Sequence, residues 1–380
     1  MKRLFFVASL AILAAACQKT EIQNEVQTPI SFSTETGKQT RAIMADNYDQ
    51  TQPFGVYAWG YDNGNLDANA VMDNVEIAKN TTDSKWEATS GKYYWPNNAN
   101  STMSFFAYSP FIGTNQAPVK NHQTMTATSV SHNTTDGLSI QNYTHNNMYV
   151  DFMVATPVIG ATYAHQDGYV NENSDKVPAV FHHEMTQIMF EVGTNQDYGT
   201  GITFTVDKIE LTGIGNTASY TNASLNSTFT EGSWTAPTAY SGEYTIFPQK
   251  VYSETETNGC PALEADQTAR TVTSTDFLTT TGVTMIPQSM VANKQKFTIT
   301  YRIAGNAVAD ETVTKEVYFA SINNAKPWEN NQKLTYKVKI GLHQIYFEPT
   351  IAQDWGPADG DTYYIPESTT PTTSVDPTVE

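Results

Sequence analysis

Between residues 333 and 342 every second residue is apolar: Leu334, Tyr336, Val338, Ile340 and Leu342 alternate with Thr335, Lys337, Lys339 and Gly341. A repeat of two belongs to extended chain, whose successive side chains leave on opposite faces; wound into a helix, the same residues would be spread around its whole surface. The beat recurs in Phe297, Ile299, Tyr301 and Ile303, and in Val313, Val317 and Phe319. Each such strand has a wet face and a face that must be covered, so the chain needs sheets packed on sheets. Further strands are expected over residues 54–59, 86–95, 103–108, 152–159, 181–192 and 202–214, separated by clusters of Asn, Gly, Asp, Ser and Thr that favour turns. No long stretch carries helical periodicity. The expected fold is all-β, built from sandwiches. At 380 residues it exceeds what one core serves, which implies two domains, with the polar interval 160–178 as their junction.

Composition narrows the partners. Apolar residues make up 39% of the chain and aromatic ones 12%, enough to fill real cores, while only 16% are charged and Thr, Asn, Tyr and Ser abound. That is the profile of a secreted β protein. The formal net charge is −18 and Lys and Arg do not cluster, so no nucleic acid partner is expected, because phosphate binding needs grouped positive charge.

The N-terminus carries its own instruction. Lys2 and Arg3 precede an apolar run over residues 4–16 that is too short to span a bilayer, and Ala14, Ala15 and Ala16 lead into Cys17. This reads as a lipoprotein signal peptide ending in a lipobox, with Leu13 four residues before the cysteine in place of the usual three. Acyl chains on Cys17 would anchor the product at a membrane with about 0.8 kcal/mol per buried CH₂. Cys260 is then alone, no internal disulfide can form, and the fold has to rest on its cores. The turn-like Asn258-Gly259-Cys260-Pro261 has no constellation of His or acidic residues around it that would make the thiol functional.

No segment reads as an active site. There is no Ser-His-Asp signature, phosphate-cradling Gly-rich loop or metal-ligand spacing, and neither Asp359 with Asp361 nor Glu348 with Asp354 is placed as a glycosidase pair. An enzyme is therefore not expected, nor a cofactor. His182-His183-Glu184 looks like a metal motif, but neighbouring strand residues face opposite ways, so both histidines are expected to be structural or on the surface. Tyr93-Tyr94-Trp95 and Trp355 offer rings that stack on sugars, yet adjacent rings on a strand force one inward, so core packing is expected. A permanently anchored lipoprotein binding glycans through exposed aromatics is the alternative function.

The order of short pieces along the chain is more specific than any one of them. The lipobox ending at Cys17 is followed by Ile30-Ser31-Phe32-Ser33-Thr34, Thr40-Arg41-Ala42 and Phe54-Gly55-Val56-Tyr57-Ala58-Trp59. Tyr93-Tyr94-Trp95-Pro96, Asp151-Phe152-Met153-Val154-Ala155 and Phe181-His182-His183-Glu184-Met185 come next, then Ile188-Met189-Phe190-Glu191-Val192, Met285-Ile286-Pro287-Gln288 and Trp328 ahead of Leu334-Thr335-Tyr336. In this the chain resembles the Bacteroidetes fimbrillins, or type V pilins. The resemblance implies two tandem transthyretin-like, Greek-key β-sandwiches: a signal peptide over 1–16, a lipidated propeptide with a leading strand over 17–41, sandwiches over 42–170 and 171–355, and a polar Pro/Thr-rich tail over 356–380.

The resemblance also implies a route. The precursor is lipidated on Cys17, reaches the outer membrane, and is cut by an Arg-specific protease between Arg41 and Ala42. The cut removes five basic and three acidic residues, so that 16 basic stand against 36 acidic and the mature formal charge is −20. It also removes the strand carrying Ile30 and Phe32. A strand from another fimbrial subunit fills the gap by β-strand addition, building a cell-surface fimbria that supports adhesion to a host or bacterial receptor. After Trp355 apolar anchors are sparse, Tyr363, Tyr364, Ile365 and Val375 among them, which makes Tyr363 and Ile365 the candidate donor segment and a weak one. A tip or accessory role therefore stands beside a stalk role.

Overall fold

Alternation becomes strand, and among the described residues the only helical turns are short 3-10 turns. The structure is a computed structural model and describes residues 28–36, 48, 52–96, 100–113, 125–145, 147–162, 176–248, 252–257, 260–263, 269–305, 308–322, 325–342, 344–347 and 351–354. The protein is all-β.

The first sheet is built from β1 (Ser31–Thr36), β2 (Phe54–Asp62), β3 (Met72–Lys79), β4 (Trp86–Ala88), β5 (Ser101–Ser109), β6 (Met153–Ala155) and β7 (Lys176–His183). Neighbours run in the order β5-β6-β7-β1-β4-β3-β2. β2 then pairs back on β5, from Gly55 opposite Tyr108 to Asp62 opposite Ser101, so the hydrogen-bonded path closes on itself. Asn63 and Gly64, both at positive φ (49° and 79°), turn the chain from β2 into the short strand Asn65–Leu66, as a two-residue hairpin requires. The side chains pointing inward, among them Phe32, Phe54, Ile77, Trp86, Phe105 and Phe181, form one core.

The second half contains β8 (Thr186–Thr194), β9 (Ile202–Ile214), β10 (Lys296–Gly305), β11 (Val308–Tyr318) and β12 (Gln332–Ile340). β8 and β12 pair in parallel within one sheet; β9, β10 and β11 are antiparallel neighbours in another. Phe190 of β8 meets Phe297 of β10 with ring centroids 5.0 Å apart, so the two sheets share one core. Every expected apolar position of β12 from Leu334 to Ile340, and of β10 from Phe297 to Ile303, is buried in it.

A four-stranded sheet draws on both halves: Ser129–Asn133 and Gly137–Thr144 come from the first, Thr217–Asn222 and Ser233–Trp234 from the second. Tyr143 and Tyr220 from this sheet pack with Tyr57, Tyr108 and Phe152 into a third core. A period of two shows that a strand has a face to bury; it does not show which sheet will cover it, and this shared layer was not expected.

Three expected strands are divided. The segment 86–95 ends as a strand at Ala88, since the chain turns through Ser90-Gly91 with Gly91 at φ 78°. Pro157, which has no amide hydrogen to give a ladder, separates β6 from Val158–Ala161. Glu184-Met185 separates β7 from β8. The expected junction shifts accordingly: β7 pairs with β1 and β6 in the first sheet, so the crossing into the second half comes at Glu184-Met185, after the polar interval. Cys260 begins the strand Cys260–Leu263, which pairs with Tyr252–Thr257, where only a turn was expected. Cys17, Arg41, Ala42, Trp355, Tyr363 and Ile365 lie outside the described residues.

Candidate functional site: the leading strand and its groove

Ile30 and Phe32 stand two residues apart and so face the same side, and both are buried, with Phe32 1% exposed. Phe32 sits edge-on to Phe54 and Phe105, ring centroids 5.8 and 5.9 Å away. Tyr48, downstream of Arg41, closes the same cluster: its ring stacks on Phe181 at 4.7 Å and meets Trp86 edge-on at 5.6 Å. The Tyr48 hydroxyl donates to the carbonyl of Gln52 at 2.8 Å and lies 2.7 Å from Ser109 Oγ. Sequence reading missed Tyr48, whose one signal is an isolated aromatic in the polar stretch Asp46-Asn47-Tyr48-Asp49.

The strand is held unequally on its two edges. Toward β7 it pairs in parallel along all six residues, from Ser31 opposite Lys176 to Thr36 opposite Phe181. Toward β4 it pairs at one position, Phe32 opposite Trp86. Just upstream the chain is clipped again: the Ile30 amide donates to the carbonyl of Tyr93 at 2.9 Å and the Trp95 amide to that of Thr28 at 3.0 Å. Between these two contacts lies a cleft of about 170 Å³, lined by Ile30, Phe32, Met72, Ala88, Gly91 and Tyr93. Trp95 is buried against Phe105, ring centroids 5.5 Å apart, and its indole N–H has no hydrogen-bond partner among the described residues.

The aromatic and histidine motifs resolve into packing. Trp95 turns inward and Tyr94 remains 36% exposed, although the strand expected over 86–95 has ended at Ala88. His182 Nε2 lies 2.8 Å from Thr156 Oγ1, and its ring stacks on Phe229 at 3.8 Å. His183 points the other way and pairs through Nδ1 with the buried Asp151. Burial pushes the His182 imidazole down to about 4. The two rings thus have separate partners on opposite faces.

Glu184, next in the chain, is fully buried at the crossing between the halves. Its carboxylate accepts from the Gly232 amide at 3.1 Å and from Asn330 Nδ2 at 2.5 Å, and its backbone carbonyl accepts from Trp234 Nε1 at 2.6 Å. Burial pushes its carboxyl up to about 7, against the lowering effect of these donors. The arrangement ties β7 to loops of the second half.

Residues 40–355 match a family model described as fimbrillin-like. No curated protein matches the chain. Among solved structures, a fimbrial protein from Bacteroides vulgatus is 22% identical, with 86% of this chain and 99% of that one covered and a TM-score of 0.50. The tip fimbrial protein Mfa3 from Porphyromonas gingivalis, truncated at its C-terminus, is 11% identical over 87% of this chain and 100% of that one, with a TM-score of 0.31. The fold is thus one that a fimbrial protein also adopts, and the family match spans most of the sequence: this chain belongs to the fimbrillin-like family.

Proposed function

We propose that this protein is a subunit of a cell-surface fimbria, exported as an outer-membrane lipoprotein through Cys17 and matured by an Arg-specific protease that cuts between Arg41 and Ala42. The observation that carries the reading is the place of β1. It lies upstream of Arg41, fills a position between β7 and β4 in a closed sheet, and supplies Phe32 to the core, with Ile30 just before it buried as well.

Loss of that strand would leave the ladder of β7 unpaired along six residues and open an apolar groove. A strand from a neighbouring subunit restores both, burying Ile30- and Phe32-like side chains at about 1.5–3 kcal/mol each before ordering costs. Donor and groove are different stretches of the chain, so the contact is heterologous and propagates head-to-tail as a filament. Before the cut, the leading strand blocks assembly. The candidate donor is the segment around Tyr363 and Ile365, and the assembled fimbria would serve adhesion.

Cleavage of the purified precursor by an Arg-specific protease, followed by size analysis, tests this. The expected outcome is a single early cut at Arg41 and a ladder of oligomers; a cut product that stays monomeric would remove the mechanism.

A further inference from the structure

Strands β2 and β5 run on past the core they help to build. On β2 the inward face carries Phe54, Val56 and Ala58, all in the core, and then Gly60 and Asp62; opposite these last two on β5 stand Met103 and Ser101. Apolar filling stops at Met103, and beyond it the same face opens at the mouth of the closed sheet as a cleft of about 140 Å³. The cleft depends on Gly60: a side chain there would strike the Asp67 carboxylate, and Val71 lies 3.3 Å from the same point. The backbone holds both residues over the strand end, the Asp67 amide donating to the Gly60 carbonyl at 2.9 Å and the Val71 amide to the Ala58 carbonyl at 2.8 Å. Mouths of closed sheets are among the places where proteins take small ligands.

Two kinds of surface meet there. Tyr94, 36% exposed, and Val71, 38% exposed, give the cleft an apolar wall, and Leu66, 43% exposed, pairs with Tyr61 at its edge. These are three of the four large apolar side chains left exposed among the described residues, so apolar exposure is concentrated at this one mouth. The polar lining is oxygen, from the carboxylates of Asp62 and Asp67 and the hydroxyls of Ser101 and Thr102, and the lining residues include no Lys, Arg or His. Asp62 is held in place, its Oδ1 accepting from Ser101 Oγ at 2.9 Å and from Asn63 Nδ2 at 3.2 Å. An occupant must bring hydrogen-bond donors for the carboxylates and an apolar face for Tyr94 and Val71. A sugar ring has both, with O–H groups around its edge and C–H groups on its faces. An anionic sugar is excluded by the two carboxylates and by the formal net charge of −18. A basic side chain would suit the carboxylates, but Val71 and Leu66 offer a cation no ring face.

We propose that this cleft binds a neutral sugar residue of a glycan, with its C–H face on Tyr94 and Val71 and its hydroxyls donating to Asp62 and Asp67. Of the adjacent rings in Tyr93-Tyr94-Trp95, Trp95 is committed to the core, and Tyr94 is the one left to the surface. The site stands apart from strand exchange, since neither Tyr94 nor the two aspartates belongs to β1.

The uncut full-length chain is applied to an array of neutral and sialylated glycans, and the best neutral binder is titrated by calorimetry. Neutral glycans are expected to bind and their sialylated forms to fail. Tyr94→Ala and Asp67→Ala, both at exposed positions, should each weaken binding at least about tenfold, as loss of a charge-assisted hydrogen bond or a stacking face does. Val291→Ala, which alters the fourth exposed apolar residue, in the second half of the chain, should leave binding unchanged. Absence of binding to any neutral glycan, equal binding of the sialylated forms, or full affinity in both cleft variants overturns the proposal. So does capture of an oligolysine peptide in place of glycans with loss in the same variants, which would make the cleft a pocket for cations. None of these results bears on the fimbrial reading, which cleavage and polymerisation decide.

Discussion

β1 in the first half and β8 in the second each run parallel to a strand that comes late in its own half, β7 and β12. Both deliver a phenylalanine to the centre of a core: Phe32 is 1% exposed and Phe190 0%. They differ on the other edge. β8 is also paired with Val283–Met285 and Leu278–Thr279, whereas β1 meets β4 only where Phe32 faces Trp86. β8 continues from β7 through Glu184-Met185, while β1 lies on the N-terminal side of Arg41. Burial therefore measures what a strand contributes to a core; the pairing of its edges, together with the proposed cut at Arg41, decides whether it is fitted to leave.

The largest expected effect tests that distinction. Phe32→Ala and Phe190→Ala should each cost the intact chain about 3–5 kcal/mol in denaturant unfolding, as large-to-small changes in tight cores do. After cleavage at Arg41 the Phe32→Ala and wild-type monomers should unfold alike, because the altered residue has gone, and the Phe190→Ala penalty should persist. A Phe32 penalty that survives cleavage would mean the strand stays in place.

The crossing between the halves has its own signature in pH. Glu184 has a folded value of about 7, above the ordinary value of 4.5, so the folded state holds its proton more tightly than the unfolded one. The stability this contributes is fully present below about 4.5 and is lost as pH rises through about 7. The loss is expected to be about 3 kcal/mol, and Glu184→Gln should flatten that part of the stability profile.

Next in size is Gln288. Its Oε1 accepts from the Gly215 amide at 2.9 Å and its Nε2 donates to the Gly215 carbonyl at 3.0 Å, so one side chain does the work of a strand neighbour. Gln288→Ala should cost about 1–3 kcal/mol by leaving buried backbone groups unpaired, with cleavage at Arg41 and assembly unaffected. The smallest effect is expected on the wet face of β10, where Lys296 pairs with Glu316 at 2.7 Å: Lys296→Ala should change stability by at most about 1 kcal/mol.

The sequence made some of this legible and hid the rest for physical reasons. Alternation located the strands of the second core closely: residues 202–214 form one strand as expected, and Leu334 to Ile340 bury as their spacing demands. It could not show that Pro157 and Glu184-Met185 interrupt longer runs, because an apolar residue after a break looks like one before it. Nor could it assign sheets: Gly137–Thr144 and Thr217–Asn222 pair across the two halves, and nothing local encodes a partner so distant. At the candidate site, Ile30 and Phe32 were visible as a strand and their inward placement followed, while the aromatic shell of Tyr48, Phe54, Phe105 and Phe181 is gathered by topology alone. Gln288 and Trp328 marked the family without showing why; the structure shows them exchanging backbone hydrogen bonds, both at 2.9 Å.

Native-state hydrogen exchange on the chain before and after cleavage at Arg41, at a concentration that keeps it monomeric, addresses the central claim directly. Amides of Val177, Ala179 and Phe181, the alternate positions of β7 that face β1, should lose protection on cleavage, regain it when polymers form, and regain it when a peptide of residues 28–36 is added, while β8 and β12 stay protected throughout. Unchanged protection of these three amides after a complete cut would show that β1 is a permanent strand of the sheet, and the account of a groove opened by maturation would be wrong.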